Sequence, residues 1–354
     1  MRALVLCLLP LAAEAQSRLD PEAAALLQDG LVVTADEFVL PAYEAQSEAA
    51  DALADALAAH CEGRGGIAPV HAAFAGTFLA WQRASVISVG PIGEDEGPMR
   101  VQLWPDPKDF SRRAVQAALR AEDPALVAPG GLDGRSVALT NLTALERLVH
   151  EPLPPGGYAC DLARAIAGHQ AALAAELADA WSRGSAFRAE HDGAVRGNDR
   201  YPTVDALVRE ILAGAVVHLD RLRKFKLQRG LGAAPGEARP ERTEAHASGL
   251  GLASVEASFR ALADLYGTPY GLFDAAPDAG GSMDYVTLAG SAATVADALS
   301  LEPSTLAEIA AEDGARAEDL RTYAELALQH ESFLKTGFPA SLGLTAGFTA
   351  ADGD

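Results

Sequence analysis

The 354-residue sequence contains 28 Lys and Arg residues and 49 Asp and Glu residues, which give a formal net charge of −21 at pH 7. A surface this acidic repels nucleic acid and anionic lipid, and it suits solubility or the attraction of cations. The charge therefore argues against nucleic-acid binding, and the length favours two packed units over a single hydrophobic core.

The first predicted element is a secretory signal peptide over residues 1–15. Arg2 precedes an apolar run, which ends in the small-residue triplet Ala13-Glu14-Ala15, so cleavage is expected before Gln16. The apolar run is about half of the ~20 residues that a membrane span requires, and no later stretch is continuously apolar for that length. We therefore expect a periplasmic protein with no transmembrane segment in the mature chain.

The cysteines of the mature chain form an even pair. Cys7 lies inside the predicted signal peptide, which leaves Cys61 and Cys160 in an oxidising compartment, where we expect them to form a disulfide. Closing a loop of about 100 residues stabilises a fold by roughly 4 kcal/mol in the chain-entropy model. A free reactive thiol and a metal-binding pair are the alternatives.

The remaining chain is predicted to be almost wholly α-helical. Ala and Leu dominate, β-branched runs are scarce, and apolar residues recur every three or four positions, which lines one face of a helix. Thr34 and Glu37 form the pattern of a capping box, and Pro41 is expected to kink the helix that follows. Helices are predicted near residues 34–60, 68–88, 109–121, 136–150, 157–190, 203–228, 243–266, 284–299 and 303–335.

Polar or Gly- and Pro-rich joints separate several of these helices. The joint from His191 to Pro202 lies near the middle of the chain, and domain boundaries favour such segments. We therefore predict an all-α fold of two packed helical-bundle domains, residues 16–195 and 196–354.

Five landmarks occur in an order that resembles a known family. They are Trp81 followed by Gly90-Pro91, the segments Leu103–Asp106, Ala144–Leu148 and Ala245–Leu252, and the terminal segment Gly347–Asp354. Together they resemble the imelysin family over nearly the whole mature chain. The resemblance implies a pair of helical bundles in a periplasmic or surface protein, often associated with bacterial iron uptake. One founding member of that family was described as a metallopeptidase.

The family signature Gly-x-His-x-x-Glu is only partly present. Its His and Glu lie three residues apart on one helical face and could share a cation. The matching stretch here retains Glu146 but has Asn141 and Thr143 in place of Gly and His. In the segment Ala245–Leu252, Ala247 stands where the family has Arg, and Gly251 stands where the family has a later Ser. Of the polar residues of that family motif, Ser248 remains. One carboxylate and one hydroxyl hold a transition metal poorly.

Glu146 has a local candidate partner in His150, four residues further along the same helical face. The pair could bind iron or another divalent metal. Two other interpretations are open: a surface contact in which the histidine complements the helix dipole, or a Glu146 that is buried and hydrogen-bonded between the helices of the first bundle.

Further candidate ligand-binding residues lie in the family-like segments. Trp104 either lines a ligand cleft or fixes its loop against the bundle. Asp106 precedes Pro107 in the order typical of a helix N-cap, and the alternative is a binding role. His246, near Ser248, is either a packed ring or a ligand.

The sequence thus favours a periplasmic imelysin-like binding protein, accessory to iron or other metal uptake, with its ligand around Glu146 and Ser248. Its partners would be iron-uptake components of the envelope. The alternatives are a scaffold that has lost ligand binding and a metallopeptidase. Because Thr143 and Ala247 are smaller than the family's residues, the space between the two segments should be enlarged and filled by water or by His246. Burial should raise the pKa of Glu146.

Overall fold

Apolar residues at helical spacing produce α-helices over most of residues 19–344, the part of the chain that this computed structural model describes. No β-strand occurs within those residues, and the predicted all-α fold is confirmed. The predicted signal peptide and the terminal segment Gly347–Asp354 lie outside the described residues. The α-helices are α1 (Pro21–Thr34), α2 (Leu40–Cys61), α3 (Ile67–Ala84), α4 (Phe110–Ala121), α5 (Val137–Thr140), α6 (Leu142–Val149), α7 (Gly157–Trp181), α8 (Ala186–Asp192), α9 (Val204–Asp220), α10 (Arg229–Leu231), α11 (Gly251–Tyr266), α12 (Leu272–Ala275), α13 (Asp284–Ser300), α14 (Leu306–Glu312), α15 (Ala315–Ser332) and α16 (Phe338–Ser341).

Short π-helical and 3-10 segments connect some of these helices. The π-helical segments are Ala35–Val39, Arg221–Gln228 and Phe333–Gly337, and the 3-10 turns are Gly90–Gly93, Gly97–Arg100, Ala194–Arg196 and Pro240–Arg242. Each π-helical segment joins two α-helices without a break in the chain of helical residues. None of the helices in residues 19–344 is long and apolar enough to cross a membrane.

The first long helix begins earlier than the sequence suggested. Asp20 caps α1 by accepting hydrogen bonds from the amides of Glu22 and Ala23, so the predicted capping box at Thr34 is wrong. Thr34 lies inside the helix, where its hydroxyl donates to the carbonyl of Gly30 at 2.9 Å. The segment Ala35–Val39 just before Pro41 is π-helical, in keeping with a proline that lacks the N–H of the α-helical pattern, and the kink predicted at Pro41 stays a prediction.

Helix α2 packs against both α3 and α7. The disulfide Cys61–Cys160 joins the end of α2 to the start of α7, with 5.6 Å between the two Cα atoms, which is within the usual range. The predicted bridge is confirmed. It fixes the same two helices that bury their apolar faces against each other.

The second half of the chain departs from the predicted helix limits in two places. The helix predicted over 243–266 begins only at Gly251, and residues 243–250 form turns. The helix predicted over 303–335 is interrupted at Asp313, whose positive φ of 46° ends α14.

Contacts between the two halves bring distant segments together. Helix α11 packs against α13 and also against α3 of the first half. Buried apolar side chains form one large cluster that runs from Leu19 to Leu344. The boundary proposed between residues 195 and 196 falls within the 3-10 turn Ala194–Arg196, before α9, and it stays a prediction.

Candidate functional site

Glu146 is presented by the short helix α6. Asn141 caps this helix, because its side-chain oxygen accepts hydrogen bonds from the amides of Thr143 and Ala144. The cap also separates α6 from α5, so the helix predicted over 136–150 is two helices. The side chain of Glu146 points into the protein, and the residue is only 5% exposed.

Ser248 holds the buried carboxylate of Glu146 from the other half of the chain. The amide of Ser248 donates to Oε1 at 2.9 Å, and its hydroxyl donates to the same oxygen at 2.8 Å. The structure therefore brings together the two segments that carry the family resemblance. Among the interpretations of Glu146, the buried and hydrogen-bonded carboxylate matches the burial, but its partner Ser248 lies in the second half of the chain and not between the helices of the first bundle.

The surroundings of Glu146 disfavour its charged form. Burial raises the pKa of this carboxyl, and the negative charge of Glu244 adds to the effect. The two hydrogen bonds from Ser248 and the positive charge of Arg147 act in the opposite direction without cancelling it. The expected direction of the pKa shift is confirmed, and burial is its main cause.

The space near Ser248 is not the enlarged gap, filled by water or by His246, that the sequence predicted between the two segments. Glu146 and Ser248 are in direct contact, so neither water nor His246 lies between the two atoms that bond. A cavity of about 320 Å³ is instead lined by the segment around Ser248 and by residues at the start of α14, including Thr305. His246 is exposed, lines this cavity, and has its Nδ1 3.2 Å from the hydroxyl of Thr243.

Thr143, which stands where the family has histidine, has a positioning contact. Its hydroxyl donates to the carbonyl of Leu103 at 3.2 Å, so α6 is tied to the loop that contains Trp104. The indole Nε1 of Trp104 donates to the carbonyl of Phe225 at 3.3 Å. Trp104 thus fixes its loop against the second half of the chain, and it also lines a small cavity.

Asp106 uses both carboxylate oxygens to hold the start of α4. The amides of Phe110 and Ser111 each donate to it at 2.8 Å. Asp106 is not the N-cap residue that the sequence predicted, because that position is taken by Asp109 and Pro107 lies before the helix, but its side chain does bond to the first two amides of α4. Because both of its carboxylate oxygens accept hydrogen bonds from backbone amides, Asp106 has a structural role at the start of α4.

His150 lies apart from the carboxylate of Glu146. Its ring stacks on His71, with 4.4 Å between the ring centroids, and meets Phe74 edge-on. Burial lowers the pKa of His150 to about 4, and the neighbouring His71 adds to the effect. The imidazole is therefore neutral at neutral pH and packs among aromatic rings.

The residues present do not fit a transition-metal site at Glu146 and His150. Within residues 19–344 no group of three or more His, Cys, Asp or Glu side chains is placed to hold a metal ion. Glu146 Oε1 already accepts two hydrogen bonds from Ser248, and a stable site needs further donors. The metallopeptidase alternative lacks a ligand set in the same part of the chain.

Sequence reasoning missed a second buried group, which we call the central polar cluster: Lys226, Glu244, Gln82, Gln102 and Ser254. The ammonium of Lys226 lies 3.2 Å from Glu244 Oε2 and also donates to Gln82. Gln102 donates to Glu244 Oε1 at 2.8 Å, and the hydroxyl of Ser254 donates to Oε2. The cluster joins α3, the loop before α4, the π-helical segment Arg221–Gln228 and α11.

A signal for this cluster was present in the sequence. Lys226 lies between the apolar residues Leu222 and Leu227 of a helical stretch, and Glu244 directly precedes the family-like segment that starts at Ala245. A π-helical segment is itself often found at functional sites. No local rule pairs residues 226 and 244, because the tertiary fold brings them together.

Comparison with known proteins agrees with this architecture. An imelysin-like protein from Psychrobacter arcticum 273-4 has a similar structure, with a TM-score of 0.74 and 19% sequence identity over 94% of this chain and 100% of that chain. A putative iron-regulated protein A precursor from Parabacteroides distasonis ATCC 8503 gives a TM-score of 0.70 and 11% identity over 92% of this chain and 97% of that chain. No curated protein matches.

The two structural similarities are too low in sequence identity to show more than the fold. A family model gives the stronger evidence, because the model described as Imelysin matches residues 39–332. That range includes α6 with Glu146, the turns with Ser248 and the whole central polar cluster. The chain therefore belongs to the imelysin family.

Proposed function

We propose that this protein is a periplasmic binding protein that serves the uptake of iron or another metal, with its ligand held near the contact between Glu146 and Ser248. Three observations support the proposal. The chain belongs to the imelysin family, a structurally similar protein is named as iron-regulated, and the N-terminal sequence has the pattern of a signal peptide.

The contact between Glu146 and Ser248 is the observation on which the proposal depends most. A buried carboxylate with a raised pKa and no cation bonded to it is costly to maintain, and such groups concentrate at functional sites. It lies beside the segment that lines the 320 Å³ cavity, which is of a size typical of small-molecule sites. A purely structural contact would not require a charged group at this position.

The ligand is proposed to be a small molecule or a metal that is already complexed. The donor set around Glu146 and His150 does not fit a bare transition-metal ion. The chain would then act as an accessory that receives its ligand from other iron-uptake components of the envelope. Its own residues would bind and orient that ligand.

A strain without the gene tests the proposed role. Under iron limitation it should accumulate less iron than the parent, and the wild-type gene should restore uptake. Glu146→Ala and Ser248→Ala variants, exported and folded to the wild-type level, should restore less. Glu48→Ala, which removes an exposed carboxylate on α2, is the control. Equal iron accumulation in all strains would contradict the proposal.

The second candidate is an interaction scaffold that has lost ligand binding. The direct bond between Glu146 and Ser248 favours it, because these two side chains satisfy each other. Restoring the family residues with Thr143→His and Ala247→Arg separates the candidates. If the chain keeps the family's arrangement of α6 and the segment around Ser248, the double variant should bind zinc or iron in equilibrium dialysis. Thr143→His alone should bind less. If the double variant and Thr143→His both bind zinc and iron no better than the wild type, the interaction scaffold is supported.

A further inference from the structure

A small cavity adjoins the central polar cluster and is lined by Trp104, His218, Arg221, Lys226 and Glu244, among others. Its volume is about 20 Å³, which admits about one water-sized group, such as a single oxygen atom of an oxyanion. His218, Lys226 and Glu244 are buried, whereas Trp104 and Arg221 are half-buried. The entrance therefore lies on the side of Trp104 and Arg221.

A buried imidazole with a free nitrogen faces this cavity. His218 is 4% exposed, and its Nδ1 lies 3.2 Å from the hydroxyl of Ser85. Its Nε2 is buried and has no hydrogen-bond partner within residues 19–344. Buried polar atoms are nearly always hydrogen-bonded, so an unpartnered nitrogen beside a cavity is a place where a ligand group can bond.

Arg221 brings a positive charge to the cavity without an acceptor bonded to it. No hydrogen bond or ion pair of its guanidinium is found in the described part of the chain. Burial lowers the pKa of Arg221, and the charge of Glu244 only partly opposes this. Its neighbour Arg223 is different, because Arg223 pairs with Asp220 and Glu331. In a chain of net charge −21, a half-buried arginine without a carboxylate partner requires an explanation.

Arg229 is a second such cation next to the same indole ring. Its guanidinium carbon lies 5.6 Å from the centroid of Trp104, and its buried Nε has no partner among the described residues. The hydrogen bond from Trp104 to Phe225 holds the ring alongside this helical segment. Arg221 lines the cavity together with Trp104, and Arg229 lies against the face of the same indole ring.

The remaining charges near the cavity are already balanced. Lys226 neutralises Glu244 at 3.2 Å, and Gln102 and Ser254 occupy other acceptor positions of that carboxylate. Arg221 and Arg229 have no carboxylate bonded to them within residues 19–344. A guanidinium presents a planar set of donors that matches the oxygens of a carboxylate or phosphate.

We propose that the cavity beside Trp104 binds a carboxylate or phosphate group of a small anionic ligand, with Arg221 and Arg229 as its charged contacts. One oxygen of that group enters towards His218, and the rest of the ligand lies outside, over Trp104. This inference rests on the proposed function only for its link to metal uptake: a metal carried as an anionic chelate needs no metal ligands from the protein.

Isothermal titration of the mature protein at constant ionic strength tests the proposal. The probes are citrate, ferric citrate and inorganic phosphate. At least one should bind saturably, and Arg221→Gln and Arg229→Gln should each weaken that binding about tenfold or more, the usual consequence of losing a charge-assisted hydrogen bond. Arg164→Gln, on an exposed part of α7, should bind as the wild type does.

The probes and variants separate the possible outcomes. Preference for citrate over phosphate assigns a carboxylate ligand, and the reverse assigns a phosphate ligand. If Arg221→Gln does not fold, Arg221→Lys keeps the charge but lacks the planar fork and should still weaken binding. Absence of saturable binding for all three probes, or equal weakening by Arg164→Gln, overturns the site. Anion binding with normal iron accumulation in the deletion strain would refute the role in uptake and leave the site intact.

Discussion

Glu146 and Glu244 are both buried carboxylates that connect the two halves of the chain, but they are held in different ways. Glu146 is 5% exposed and accepts hydrogen bonds from the amide and hydroxyl of Ser248. Glu244 is 2% exposed and has the ammonium of Lys226 within 3.2 Å, besides donors from Gln102 and Ser254. Uncharged hydrogen-bond donors of Ser248 stabilise the carboxylate of Glu146, whereas the charged ammonium of Lys226 stabilises the carboxylate of Glu244.

This difference separates a group that can change its protonation state from one that maintains the fold. A carboxylate supported only by dipoles gains from taking up a proton when it is buried. A carboxylate in a buried ion pair cannot be removed without leaving its partner uncompensated. We therefore expect Glu244 to contribute mainly to stability and Glu146 mainly to ligand binding.

The largest predicted effect tests the ion pair. Glu244→Ala leaves the ammonium of Lys226 buried without a counter-charge, and the free energy of unfolding should fall by about 3–5 kcal/mol. Urea denaturation followed by circular dichroism measures the change. The double variant Lys226→Met with Glu244→Leu removes both charges and should recover most of the loss. A double variant as unstable as Glu244→Ala would show that the ion pair is not the source of the effect.

Much of the fold could be predicted because it depends on local patterns. The three-and-four spacing of apolar residues predicted most helices, and cysteine counting predicted the Cys61–Cys160 bridge. The errors occurred where a side chain ends or begins a helix. Asn141 divides a predicted helix by capping α6, and Asp20 starts the first helix well before Thr34.

The candidate site could be predicted only where the family resemblance supplied long-range information. That resemblance placed Glu146 opposite Ser248, although the two residues are 102 positions apart in sequence. The same reasoning gave no partner for Lys226, because an isolated lysine in a helical pattern usually lies at the surface. Its burial is decided by the packing of α11 against α3, which no local pattern encodes.

A matched pair of serine substitutions sharpens the comparison at a smaller scale. Ser248 and Ser254 each donate one hydroxyl hydrogen bond to a buried carboxylate. Ser248→Ala should cost about 2 kcal/mol, because Glu146 then keeps only the amide of Ser248 as a donor. Ser254→Ala should cost about 1 kcal/mol, since Glu244 retains Lys226 and Gln102. Urea denaturation of both variants gives the ranking, and the reverse order would contradict the distinction between the two carboxylates.

The most subtle predicted effect concerns the pH dependence of Glu146. Its pKa in the folded protein is raised above the ordinary value of 4.5 by burial. Between these two pKa values the folded state binds more protons than the unfolded state, so this group makes the free energy of unfolding fall as the pH rises. The destabilisation caused by the buried charge of Glu146 is absent well below pH 4.5, and it is fully present above the pKa that Glu146 has in the folded protein. Glu146→Gln has no proton to lose and lacks this contribution.

The stability of Glu146→Gln relative to the wild type should therefore increase as the pH is raised from about 4 to about 8. Urea denaturation at several pH values measures this difference, and Glu48→Gln, at an exposed position of α2, controls for the loss of one negative charge. The glutamine can still accept both hydrogen bonds from Ser248, so the contact itself is kept. A difference that is constant over this range would mean that Glu146 is as well stabilised in its charged form as Glu244, and the assignment of separate roles to the two carboxylates would fail.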